Sequence, residues 1–310
     1  MSTLGEVPSG SAAQQAALIS AQPPAADEPQ MSRAGRVLLG FLPEEQAPLA
    51  MTGRRHGQPL TVEQVQALSA TRRAVRERPE GLDQTDVIRP APPELDDYIL
   101  RLRSSGVADA HFNEGWQVAL ADLPRLGAFQ PHVLVDSATD RVAGIDVDDL
   151  VDIATVTLPL VPAQPVAPTL DESKKTFVVS SANPNLRVTG MFAAQVDPNR
   201  PEAVGMGFSV QVLPSFVQVA SLNGRYFVRD GYHRTIGLVQ RGVRYAPVFV
   251  HDEIPHGQLV PPGMLPFEVY TGTRPAVVAD YWDESVSRSL PVPVTHKVIM
   301  IQATEIDVIG

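Results

Sequence analysis

The residues with the clearest chemical potential in this chain are five consecutive ones, Asp230-Gly231-Tyr232-His233-Arg234. Arginine can grip a phosphate group through two parallel hydrogen bonds, and histidine can donate a hydrogen bond or move a proton near neutral pH. Aspartate in front of the glycine can cap a helix or hold the imidazole in one tautomer. The residue types therefore indicate a site for an anion the size of phosphate.

A hairpin is predicted directly in front of these five residues. The pair Asn223-Gly224 lies between two runs of strand-forming residues and is typical of a two-residue type I′ turn. We therefore expect Phe216–Ser221 and Arg225–Arg229 to pair as antiparallel strands. The second of these strands leads straight to the aspartate.

A helix is predicted to begin within the five residues. Tyr232–Arg241 has the length and period of a helix, and Gly242 is typical of a helix end. His233 and Arg234 then lie in the first turn, where backbone N–H groups have no partner within the helix and the helix dipole is positive. A helix N-terminus beside a glycine turn suits an anion, so position and residue type agree.

The helix should lead into a further strand, Tyr245–Val250. Pro247 has no N–H to donate, which predicts that this strand lies at a sheet edge or starts near the proline. The acidic and histidine residues at 251–256 match no metal-ligand spacing, so a solvated loop is expected rather than a metal site. The alternative is that Asp252 and Glu253, at the strand end near the motif, contribute to Mg²⁺ binding or act as a general base.

The composition excludes several classes of protein. The chain has 310 residues, a formal net charge of −10 and no cysteine. The missing cysteines remove disulfide scaffolds, thiol catalysis and cysteine-ligated metals, and the charge disfavours a nucleic-acid binder. No apolar run approaches the ~18 residues that span a bilayer, and the N-terminus lacks a signal-peptide pattern. We therefore expect a cytoplasmic protein that does not engage membranes.

Two helices are predicted in the N-terminal half. The first, Thr61–Arg76, begins with a capping box of Thr61 and Gln64 and should bury one apolar face, formed by Val62, Val65, Leu68 and Val75. The second begins after Pro92-Pro93 and stops near Gly106, and its buried stripe should comprise Leu95, Tyr98, Ile99 and Leu102.

Three regions follow from these patterns. Residues 1–30 are rich in Ala, Pro, Ser and Gln and predict a disordered tail, with a docking peptide for a protein partner around Ala12–Ile19 as the alternative. Residues 31–110 form a helical N-terminal region. Residues 111–310 form an α+β domain, and the spaced prolines near 157–168 predict an extended connection within it.

The segment Asp230–Arg234, at a strand-to-helix turn, resembles the signature of the ParB/sulfiredoxin superfamily. Sulfiredoxins carry G-C-H-R at this turn, partition proteins carry G-E-R-R, and DNA-modification-associated relatives carry D-G-Q-H-R. The match is close over residues 214–253, and Val118–Gln130 is similar to the start of ParB-like domains. The resemblance implies an α+β fold with a mixed sheet and a short helix after the turn.

The superfamily binds nucleotide phosphates at this helix N-terminus. The resemblance therefore implies ligand contacts at Gly231, Tyr232, His233 and Arg234, with ATP or CTP and Mg²⁺ as candidate cofactors. His233 and Asp230 are the catalytic candidates, since His233 would assist proton transfer and Asp230 would orient it. Phosphoryl transfer and nucleotide hydrolysis are the reactions that this arrangement would allow.

One residue departs from both better-known branches of the superfamily. Tyr232 stands where sulfiredoxins have their nucleophilic cysteine, which excludes that chemistry, and where partition proteins have a glutamate. Partition proteins also continue into a helix-turn-helix domain, which the proline-rich residues after 253 do not resemble. We expect a small phosphorylated ligand, and the alternative is a non-catalytic scaffold or interaction protein that retains the fold.

Overall fold

The computed structural model describes residues 32–53, 58–160, 166, 168–181, 185–195, 204–255, 263–293 and 297–302. The predicted tail and its docking peptide lie outside the described residues, as do positions 161–165 and 167 of the proline-rich connection. Every structural statement below concerns the described part of the chain.

The fold is α+β, as the sequence predicts. The strands are β1 Ser32–Val37, β2 Ile88–Pro90, β3 Gln117–Asp122, β4 His132–Leu134, β5 Thr169–Asp171, β6 Thr176–Ser181, β7 Leu186–Gln195, β8 Val204–Val212, β9 Gln218–Leu222, β10 Arg225–Asp230, β11 Tyr245–His251, β12 Arg288–Pro293 and β13 Lys297–Gln302. The α-helices are α1 Gln46–Met51, α2 Val62–Glu77, α3 Asp96–Ser104, α4 Asp109–Asn113, α5 Val135–Arg141, α6 Leu150–Thr157, α7 Tyr232–Gln240 and α8 Phe267–Thr271.

A five-stranded mixed sheet carries the segment of interest. Its strand order is β10-β9-β11-β3-β2, with β11 parallel to β9 and every other pair antiparallel. The predicted hairpin is confirmed: Asn223 and Gly224 have φ of 52° and 73°, and a type I′ turn requires positive φ at both positions. Helix α7 connects β10 to β11, so the predicted order of hairpin, turn, helix and strand is also confirmed.

Of the two predicted places for Pro247, the sheet edge is wrong, because β11 lies between β9 and β3. The alternative, a position near the start of the strand, is confirmed, because β11 begins at Tyr245. The Phe249 N–H donates to Val217 O on the β9 side of the strand. A residue two positions earlier faces the same side, where pairing with β9 has not yet begun. The missing N–H of Pro247 therefore removes no hydrogen bond from the sheet.

A second sheet, of order β12-β1-β4, supports α5, which follows β4 directly and packs against α7. The two helices approach closely at Gly237, where an added Cβ would lie 2.3 Å from Ala138 O. Strands β1 and β2 come from the region predicted to be helical, and they pair with β12 and β3 from later in the chain.

Helix α2 forms as its sequence predicts, but only part of its predicted apolar face is buried. Its predicted capping box is present, with Thr61 and Gln64 each accepting the other's backbone N–H. The predicted burial of its first turn is wrong, because Val62 and Val65 are exposed while Leu68 is buried. The helix packs on the short 3₁₀ turn Leu39–Phe41, which contacts α2 beyond its first turn.

The second predicted helix is confirmed with a 3₁₀ turn at its start, Pro93–Leu95, followed by α3. Leu95, Tyr98 and Leu102 are buried, as their spacing predicts. Gly106 ends the helical segment with φ of 73°, a value that favours glycine.

The chain forms two apolar cores of unequal size. We call residues 32–53, 58–160, 214–255 and 263–293 the main body, whose two sheets and packed helices share one large core. We call residues 168–181, 185–195, 204–213 and 297–302 the satellite module. It contains the sheet β13-β6-β5 and the two-stranded ribbon β7-β8, around a core of three buried side chains, Val179, Leu186 and Val212.

Candidate functional site

Strand β10 reaches the turn through a β-bulge. Val228 lies opposite Val219 and Asp230 lies opposite Gln218, so Arg229 is an extra residue on one side of the pair. Bulges redirect side chains and are common beside binding sites. The bulge sets the directions in which Arg229 and Asp230 leave the sheet.

The turn itself requires glycine. Gly231 has φ of 89°, and an added Cβ would lie 2.8 Å from Val217 Cα. Both conformation and space therefore exclude a side chain. The Asp230 carboxylate accepts a hydrogen bond from the Gly231 N–H at 2.6 Å. Asp230 is therefore bonded to the turn, and it makes no hydrogen bond to His233 in the described part of the chain.

The backbone at the start of α7 is unsatisfied. The first hydrogen bond of the helix runs from the Thr235 N–H to Gly231 O. Among the described residues, no acceptor receives the N–H groups of Tyr232, His233 or Arg234. Such groups at a helix N-terminus are normally satisfied by a side chain, by water or by a ligand.

The Tyr232 side chain is directed into the core of the main body. Its hydroxyl accepts the Phe129 N–H at 2.9 Å, and its ring packs edge-on against those of Phe129 and Tyr281. Burial raises the pKa of Tyr232 above its ordinary value. Tyr232 is thus a neutral side chain that anchors a neighbouring loop.

The Arg234 guanidinium is also used inside the protein. It donates to Val156 O at 2.9 Å and to both the carbonyl and the hydroxyl of Ser215. Burial lowers the pKa of Arg234 to about 10, so the group stays charged at neutral pH. Its Nε is buried without a partner among the described residues. Arg234 thereby ties the end of α6 to the segment before β9.

The His233 imidazole faces the start of α5. Its Nε2 accepts the Leu134 N–H at 3.2 Å. The proton of the neutral ring therefore lies on Nδ1. Burial lowers the pKa of His233 to about 4, and the charges of Arg141, His132 and Arg234 act in the same direction. At neutral pH His233 is a neutral hydrogen-bond donor.

A polar chain that sequence reasoning missed lies next to the bulge. Arg229 donates to Gln218 Oε1 at 2.8 Å, and the other end of the Gln218 amide lies 2.9 Å from His111 Nε2. The amide nitrogen can only donate, so His111 Nε2 accepts and the ring is neutral. Burial lowers the pKa of His111, although the charges of Glu114 and Asp230 oppose the shift.

Aromatic rings surround this polar chain. The His111 ring stacks on Phe249 with centroids 5.1 Å apart, and the Arg229 guanidinium lies 5.3 Å from the centre of the Trp116 ring. The sequence around Arg229 gave no signal for this role, because the bulge that directs its side chain is seen only in the structure. No local signal existed for His111, which α4 brings to the sheet.

The five motif residues therefore have two different structural roles. Asp230 and Gly231 form the turn, whereas Tyr232, His233 and Arg234 each hold a different backbone segment through their side chains. No group of three or more histidine, aspartate or glutamate side chains in the described ranges could hold a metal ion. No described helix is long and apolar enough to cross a membrane.

Fold and site together define an α+β protein in which a glycine turn leads into a helix whose first three N–H groups have no acceptor among the described residues. No protein-family model, no curated protein and no solved structure matches this chain. Any functional assignment must therefore come from the site itself.

Proposed function

We propose that this protein has a ParB/sulfiredoxin-like domain that binds a phosphate-bearing ligand, foremost a nucleotide, at the N-terminus of α7. The observation that carries the proposal is the set of three consecutive N–H groups, Tyr232 to Arg234, without an acceptor in the described chain. They follow a glycine with positive φ, and the helix dipole adds positive potential at the same point. Backbone N–H groups arranged in this way bind phosphate.

The ligand contacts come from the main chain more than from the motif side chains. The Tyr232 hydroxyl and the Arg234 guanidinium already bond to the protein's own backbone. His233 can contribute one N–H, from Nδ1, because its Nε2 accepts from Leu134. The same tautomer leaves His233 no free nitrogen to accept a proton from a nucleophile, so the proposal contains binding and no chemical step.

Asp230 determines the form in which the ligand binds. Its carboxylate bonds to the same turn and would repel a free phosphate at short range. A nucleotide complexed with Mg²⁺ would offset this repulsion, because the cation would supply positive charge and Asp230 would offer it a carboxylate oxygen. We therefore expect the Mg²⁺ complex to bind more tightly than the free nucleotide.

Thermal-shift measurements with ATP, CTP and inorganic phosphate, each with and without Mg²⁺, test the proposal. A ligand at about 100 times its Kd should stabilise the protein by about 2.7 kcal/mol. The variant Asp230→Asn keeps an oxygen acceptor for the Gly231 N–H and loses the charge, so it should bind nucleotide with little dependence on Mg²⁺.

The matched control is Asp149→Asn, which changes the carboxylate at the N-cap of a different helix, α6. It should leave the nucleotide response of the wild type unchanged. The proposal is contradicted if none of the three ligands raises the melting temperature of the wild type. It is also contradicted if the two variants show the same dependence of nucleotide binding on Mg²⁺.

A second function, that of a non-catalytic scaffold, is favoured by a specific observation. The side chains of Tyr232, His233 and Arg234 bond to backbone groups that are 103, 99 and 78 positions away in sequence. A motif kept only for this purpose would stabilise the fold and bind nothing. In that case Arg234→Ala would lower the thermal stability, and no nucleotide would raise it.

A further inference from the structure

The ribbon β7-β8 has one continuous apolar face that extends out of the core of the satellite module. Leu186 pairs with Val212, Val188 with Val210, Met191 with Phe208 and Ala193 with Met206. Directly opposite residues share a face, and so do alternate residues along β8. These four pairs therefore lie on the same side of the ribbon.

A β-bulge makes this alignment possible. Val188 and Met191 are three positions apart and would otherwise point to opposite faces. The pairing shifts between Val188 and Gly190, so Thr189 is an extra residue that restores Met191 to the face of Val188. Bulges of this kind adjust a strand locally, and here the result is an unbroken apolar face.

Exposure rises steadily along that face. Leu186 and Val212 at the base are buried, with 0% and 3% exposure. Val188 and Phe208 follow with 47% and 41%, and Met191 and Met206 reach 79% and 84%. The apolar face thus continues beyond the part that other described residues cover, and a ribbon of two strands is marginally stable without a further layer.

The face has no charge to select or to reject a partner. The only charged residue in the two strands is Arg187, and its partner across the ribbon is Gln211. The protein has a net charge of −10, so two copies repel each other least where a surface is uncharged. Methionine side chains adapt to many shapes, including those of their own copies.

We propose that this face packs against the same face of a second copy about a two-fold axis. The two ribbons then form a small β-sandwich, in which Met191, Met206 and Phe208 of each copy interdigitate with those of the other. The exposed part of the face is formed by Val188, Met191, Met206 and Phe208, far fewer than the roughly 20–30 residues a side of a standard interface. We therefore expect the dimer to be weak and to dissociate on dilution.

Sedimentation velocity of the full chain over a dilution series tests the dimer. The wild type should shift from dimer to monomer on dilution, and Met206→Glu should stay monomeric at every concentration. The control is Val62→Glu, which adds the same charge at an apolar residue of the main body that is 69% exposed. It should dimerise like the wild type, and far-UV circular dichroism should show that both variants are folded.

A crosslink provides an independent measurement, because the chain has no cysteine of its own. At least one of Met191→Cys and Met206→Cys should form a disulfide-linked dimer under mild oxidation, whereas Val62→Cys should not. A wild type that is monomeric throughout would overturn the proposal. A dimer that persists in Met206→Glu and gives no crosslink from the ribbon would also overturn it, and so would binding of the monomer to lipid vesicles through this face.

Discussion

The main body and the satellite module differ in how much of their apolar surface is buried. In the main body, two sheets and their helices share one core that contains even the motif tyrosine and arginine. In the satellite module, three buried side chains support five strands, and several large apolar side chains stay exposed. Among the described residues, the N–H groups at the start of α7 in the main body have no acceptor, and part of the apolar surface of the satellite module has no covering layer. We infer that the N–H groups at α7 in the main body bind an anion and that the exposed face of the satellite module binds an apolar partner.

The largest expected effect comes from removing one aromatic ring from each region. Phe129→Ala empties a fully buried position in the main body and should lower the free energy of unfolding by about 3–5 kcal/mol. Phe208 is 41% exposed, so Phe208→Ala should lower it by less than about 1 kcal/mol. Urea denaturation monitored by circular dichroism measures both, and equal losses would show that the module is as tightly packed as the main body.

The glycine of the turn provides the next test. Gly231→Ala combines positive φ with a clash against the Val217 backbone and should destabilise by about 3 kcal/mol or more. Gly242 has nearly the same φ, 87°, but an added Cβ there meets nothing within 4 Å. For Gly242→Ala a loss of about 1 kcal/mol is therefore expected. If the two variants lose the same stability in urea denaturation, then the close approach of turn and strand is not real.

The stability of the main body should depend on pH through His233. The folded pKa of about 4 lies below the ordinary 6.5, so the unfolded state binds more protons between these values. The contribution is therefore complete above about pH 6.5 and is lost as pH falls to about 4, by on the order of 3 kcal/mol. The lowered pKa of His111 acts in the same direction.

His233→Gln retains an oxygen that can accept the Leu134 N–H and should flatten this pH dependence. His251→Gln, at a ring near the end of β11, is the control and should leave it unchanged. The described residues of the satellite module contain no histidine, so probes placed there should report no such transition. A pH dependence that survives His233→Gln would assign it to other groups.

Much of the local structure around the site was predictable from the sequence. The Asn223-Gly224 hairpin, the glycine turn and helix α7 all follow from residues within a few positions of one another. Turn and helix preferences are local, so short-range patterns contain the required information. The capping box of α2 and the burial of Leu95, Tyr98 and Leu102 follow for the same reason.

Other features depend on partners that are distant in sequence. Pro247 suggested an edge strand, but the staggered start of β9 allows it inside the sheet. Val62 fits the apolar period of α2, yet the segment that packs on this helix does not cover its first turn. His111 joins Gln218 and Arg229 only because α4 lies against the central sheet.

The sequence alone determined that a glycine turn opens a helix with histidine and arginine in its first turn. Only the tertiary structure decided which groups of that turn are available. The side chains of Tyr232, His233 and Arg234 bond to Phe129, Leu134 and Ser215, whose backbone groups need partners once they are buried. No local pattern records that need, because it arises when segments from different parts of the chain leave water together.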